Sequence, residues 1–141
     1  MKDLTFKIEY TLKEGTIIDV LDTAFEGGIG YWACLDNTHP DWVEARKQWK
    51  EAHKTEQEPN PIPCFSEVAL QVMQNGKAVI LIDEEDETEY QLTLEKLVEG
   101  CRIYTIRKGK DIQKALDEAD FDANDADAII QYALFGDIIY G

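Results

Sequence analysis

The chain has 141 residues, the span of one ordinary domain, and 44% of them are apolar, enough to build a core. Its 29 acidic residues against 14 basic ones leave a formal charge of −15, the reverse of what a protein needs to displace counterions from nucleic-acid phosphates. No apolar run approaches the roughly 20 residues of a membrane helix. The opening Met1-Lys2-Asp3-Leu4 lacks the apolar stretch of a secretory signal. A soluble, acidic, cytoplasmic single domain is the expectation. Cys34, Cys64 and Cys101 are odd in number and far apart, with no CxxC pair. They predict small hydrophobic core residues rather than disulfides or a zinc site.

In residues 4–12, Leu4, Phe6, Ile8 and Tyr10 alternate with Thr5, Lys7 and Glu9, which predicts an opening strand. Thr16 and Asp19 resemble a capping box for a helix over 16–26, with Ile17, Val20, Leu21 and Ala24 at helical spacing. Gly27 and Gly28 are expected to end that helix in a left-handed turn, ahead of a strand over 29–35. Pro40 opens a helix over 41–54 with Trp42, Ala45, Trp49 and Ala52 as its apolar seam. Arg46, Lys47, Lys50 and Lys54 form its basic face. Residues 55–63 carry three of the four prolines and predict an exposed loop.

Val68, Ala69, Val72 and Met73 predict a helix over Phe65–Gln74, ended by Asn75 and Gly76. A buried strand over 78–82 and a hairpin partner over 88–94 flank five consecutive carboxylates, Asp83, Glu84, Glu85, Asp86 and Glu87. Helices are expected over 94–106, 112–118 and Ala123–Phe135, the last with Asp122 and Asp125 at its start and Gly136 at its end. Residues 137–141 read as a terminal strand or docked tail. The class is α+β: one domain, a small antiparallel sheet covered by helices.

Catalytic chemistry is poorly provided for, and the chain reads as a non-enzyme with no cofactor. Ser66 is the only serine and lies outside a GxSxG turn. His39 and His53 flank the tryptophan-bearing helix, where a loop cap and solvent exposure are the expected roles. The run from Asp120 to Asp127 invites a calcium reading. However, Asp125 and Gln131 stand where an EF-hand loop requires Gly and Glu, so no metal site is assigned. Gly27, Gly28, Tyr31 and Trp32 admit two readings: a tight structural turn, or an aromatic wall for a nucleotide with Arg102 or Arg107 on its phosphate.

The sharpest signal is the acid. Residues 83–89 hold six carboxylates in seven positions and 117–127 hold six more. Such density is either a solubilising surface or a face that meets a cationic groove. Asp83, Glu84, Glu85, Asp86, Glu87 and Glu89 are the expected partner-binding residues, with Asp120 and Asp122 as a second patch. The partner would be a protein with a basic nucleic-acid-binding groove.

The segment Ala24-Phe25-Glu26-Gly27-Gly28-Ile29-Gly30-Tyr31-Trp32-Ala33, the ending from Ala126 to Gly141 with its Gln131-Tyr132-Ala133-Leu134-Phe135-Gly136 and, more loosely, residues 68–100 resemble a group of small acidic proteins from bacteriophages and other mobile elements of gut bacteria. Residues 37–63 lie outside that likeness. The resemblance implies a setting in the bacterial host cell and a role akin to anti-CRISPR or antirestriction inhibitors, several of which imitate the charge of DNA. A sponge for a nucleotide second messenger is the alternative expectation, and an adaptor using the basic helix a third. Neither the partner's identity nor the oligomeric state is legible at this level.

Overall fold

The computed structural model describes residues 2–141. The elements are α1 (Glu14–Thr23), a π-helical turn (Ala24–Gly28), β1 (Ala33–Leu35), α2 (Pro40–His53), α3 (Phe65–Gln74), β2 (Val79–Asp83), β3 (Glu89–Leu92), α4 (Leu94–Lys108), α5 (Ile112–Asp117) and α6 (Ala123–Phe135). The strands form one antiparallel sheet in the order β1-β2-β3, with Cys34 opposite Ile82 and Leu81 opposite Tyr90. The class is α+β, as the alternation of apolar patterns predicts.

Helix α6 lies at the centre. Ala126, Ile129, Ile130 and Ala133 are buried, and the helix packs on α4, the π-turn, α1 and β3. A capping box opens it: Asp122 accepts from the Asp125 amide, and the Asp125 carboxylate accepts from the Asp122 amide. Gly136 at φ 73° closes it in the left-handed conformation. The calcium-like run therefore serves as a helix cap. Where α4 crosses α6, Gly100 permits the close approach, because a Cβ there would sit 2.5 Å from the Ile129 carbonyl oxygen.

Several expectations need correction. Residues 4–12 form no strand: among the described residues they join no ladder, and Leu4, Phe6, Ile8 and Tyr10 face solvent while Leu12 is half-buried against the core. Period-two alternation encodes a strand's two faces but not its neighbour. Thr16 does not cap α1, which begins two residues earlier at Glu14; its buried hydroxyl donates to Gln113 Oε1 instead. Gly27 and Gly28 do not turn left-handed. The helix widens into the π-turn, with the Ile29 amide donating to the Ala24 carbonyl at 3.0 Å. Gly28 is there for space, since a Cβ would stand 2.9 Å from the Ala123 carbonyl.

On α2, Trp42 and Ala45 are buried as expected, but Trp49 is half-buried and Ala52 exposed. The helix outruns its support. The loop after it is exposed over 55–60, yet Pro61 and Pro63 are buried and Asn60 accepts from Lys50. Of the cysteines only Cys101 is a core residue; Cys34 and Cys64 are exposed. Residues 137–141 dock as a tail without joining the sheet.

Candidate functional site

The acidic turn stands on the β2–β3 hairpin. Its first residue, Asp83, departs from the sequence reading, because it is buried and turned inward. Asp83 Oδ1 accepts from the Glu85 and Asp86 amides at 2.8 and 3.1 Å, and Oδ2 accepts from the Tyr140 hydroxyl. The Tyr140 hydroxyl, then the two amides, hold this carboxyl below the ordinary aspartate range. Asp83 thus shapes the turn rather than offering charge. Glu87, with φ 60°, completes the bend, and Asp86 braces it by accepting from the Thr88 amide at 3.0 Å.

The other side chains of the run point outward. Glu84, Glu85, Asp86, Glu87 and Glu89 are all exposed, and among the described residues none has a Lys or Arg within ion-pair distance. The second patch is different. Asp122 is occupied as the α6 cap, while Lys110 Nζ lies 3.6 Å from carboxylate oxygens of both Asp120 and Asp125. Its charge is partly neutralised within the fold.

In the glycine-aromatic unit the two rings differ, Trp32 facing inward and Tyr31 remaining exposed. Trp32 is buried, its Nε1 donates to Asp127 Oδ1 at 2.8 Å, and its ring is stacked at 4.5 Å under Tyr140. Tyr31 donates to Asp127 Oδ2 at 2.6 Å; burial and then this bond push its hydroxyl up to about 12. No open aromatic face is left at Trp32. Gly27 is exposed over open space, whereas Gly28 is packed against α6. Arg102 pairs with Glu99 at 2.6 Å, and Arg107 pairs with Asp137 at 3.0 Å while lying over the Tyr132 ring.

Three residues outside the expected set, Asp127, Gln131 and Tyr140, tie these regions together. Fully buried Gln131 donates through Nε2 to Asp127 Oδ1 at 3.0 Å, and its side-chain Oε1 accepts from the Ile139 and Tyr140 amides at 2.8 and 2.9 Å. One chain of contacts therefore runs from the start of α6, through Trp32 and the tail, to Asp83 beneath the acidic turn. The signal in the sequence was Asp127 and Gln131, four apart, interrupting an apolar face.

Burial pushes the Cys101 thiol up to about 12, and Cys64 is raised by its hydrogen bond with Glu67. His39 Nδ1 accepts from the Asp41 amide as the α2 cap, and exposed His53 stacks on Trp49 at 4.1 Å. Both histidines take the roles expected for them. Among the described residues, no helix is long and apolar enough to cross a membrane. Comparison with protein-family models, curated proteins and solved structures finds no match to this chain.

Proposed function

We propose that the chain is a non-enzymatic inhibitor that enters the basic nucleic-acid groove of a host defence nuclease, with a CRISPR effector as the target class. Such channels are lined with Lys and Arg. The observation that carries the reading is the β2–β3 turn: Glu84, Glu85, Asp86 and Glu87 are exposed and unpaired on a loop whose backbone is fixed by Asp83 and Tyr140. A preformed loop of unneutralised carboxylates presents charge without the ordering cost of a disordered acidic tail. Glu89 extends it along β3. Asp120 and Asp122 contribute less, because Lys110 and the helix cap already engage them.

The test is DNA cleavage by a panel of purified CRISPR effectors, with the wild-type chain and with E84K/E85K/E87K added. The wild type inhibits at about 0.1 M salt and loses potency at about 0.5 M, as screening weakens exposed charge pairs. The triple variant has no effect on cleavage while keeping the wild-type circular dichroism. Inhibition untouched by the triple substitution would overturn the proposal, as would an absence of inhibition across the panel.

A further inference from the structure

The amino-terminal arm is extended and largely exposed. Leu4, Phe6, Ile8 and Tyr10 are 89, 84, 66 and 55% exposed on an extended segment that makes no ladder hydrogen bonds among the described residues. Strand-forming side chains at period two, with both backbone edges free, form an open template for another strand. Beside the arm, Ile8, Tyr10 and Leu12 line a groove of about 540 Å³ with Val98, Arg102 and Ile106 of α4. Val98 and Ile106 are themselves exposed. This apolar strip lacks a cover.

What covers it is written in the arm's own order. Read outward from Ile8, the residues on the two sides match in kind: Lys7 with Glu9, Phe6 with Tyr10, Thr5 with Thr11, Leu4 with Leu12 and Asp3 with Lys13. We propose that residues 3–13 of two copies pair as an antiparallel ribbon about a two-fold axis through Ile8, making the chain a homodimer. In this register every charge meets its opposite: Lys7 faces the second copy's Glu9, and Asp3 faces its Lys13. The aromatic and leucine pairs share one face, which closes over the α4 groove of each copy. Sliding by two residues sets Lys7 against Lys7 or Glu9 against Glu9, and a parallel in-register pair sets every charge against itself, so the charges select one register.

The charge balance of the whole chain favours the same place. Residues 2–13 hold three lysines, one aspartate and one glutamate, in a chain of −15. The arm is thus a site where two strongly acidic molecules can meet without stacking like charge. This inference is independent of the acidic turn.

Sedimentation at about 100 μM protein and 0.1 M salt tests it. The wild type sediments as a dimer. Either K7E or E9K places like charges across the axis and raises the dimer dissociation constant at least about tenfold. K7E/E9K restores pairing, and an equimolar mixture of K7E with E9K forms a heterodimer, since each charge then meets its opposite. Geometry is read independently in a C34S/C64S background. Ile8→Cys cross-links on oxidation, because paired Cα atoms lie within disulfide range. Thr5→Cys does not, because its counterpart stands about 20 Å along the ribbon. A monomeric wild type would overturn the proposal, even if the arm then bound a strand of another protein. So would charge variants that dimerise normally, or equal cross-linking at Ile8 and Thr5.

Discussion

Asp127 is a buried carboxylate held by three neutral donors, the Tyr31 hydroxyl, the Trp32 indole and the Gln131 amide, with no ion pair among the described residues. Asp127→Ala removes the acceptor shared by all three bonds and leaves the buried Trp32 indole N–H without a partner. Urea unfolding should show a loss of about 2–4 kcal/mol. Tyr140→Phe tests the other end of the same chain of contacts. Asp83's carboxyl is depressed in the fold, first by the Tyr140 hydroxyl, so the stabilisation it gives is present above its unfolded value near ~3.9 and fades as pH falls through the folded value. The gap in urea midpoint between wild type and Tyr140→Phe should therefore be larger at pH 7 than at pH 2.5. Comparing the two proteins removes the general relief of repulsion on acidification, which they share. A gap independent of pH would mean that the hydroxyl does not act through Asp83. Neither residue's role was legible as chemistry. Asp127 reads as one more acid in a run of six; its spacing from Gln131 on the apolar face is the one local hint, and burial is what separates it from Asp120.

Between elements, the glycines distinguish turns from close approaches. A methyl at Gly100 would strike the Ile129 carbonyl at 2.5 Å and Ala133 Cβ at 2.8 Å, whereas Gly27 has nothing within 4 Å of its Cβ position. Helix propensity alone would make Gly100→Ala stabilising by about 1 kcal/mol. Overpacking at the α4–α6 crossing should instead make it destabilising by about 1–3 kcal/mol. Gly27→Ala is expected to be neutral or to gain up to about 1 kcal/mol. Thermal unfolding of the two variants decides whether crossing distance governs. Helix α6 was readable to its ends because apolar spacing, the Asp122 cap and the terminal Gly136 agree over neighbouring residues, and α3 was readable from apolar spacing and its terminal Asn75-Gly76. The residue 4–12 segment was misread for the complementary reason: its alternation is genuine, but strand formation needs a partner that the rest of this chain does not supply.

At the scale of the molecule, the excess of negative charge opposes compactness. Raising NaCl from about 0.05 to 0.5 M should raise the melting temperature, because screening relieves that repulsion. E84K/E85K/E87K brings the formal charge from −15 to −9. It should melt no lower than the wild type at low salt and respond less to added salt. A lower melting temperature would mean that the turn's glutamates support the fold, and the inhibition test would then need single substitutions.

Periodicity, caps and composition are properties of residues a few positions apart, so the sequence by itself determined the α+β class, most helix positions, the acidity of the β2–β3 turn and the palindromic order of the arm. Tertiary structure decided which acids remain free. Asp83 meets Tyr140 across 57 positions, and Trp32 meets Asp127 across 95. Contacts of that span depend on how the helices and tail pack together, and local pattern does not record it. The same packing gave Gly28 and Gly100 their purpose, since the need for a missing side chain arises only where two backbones approach.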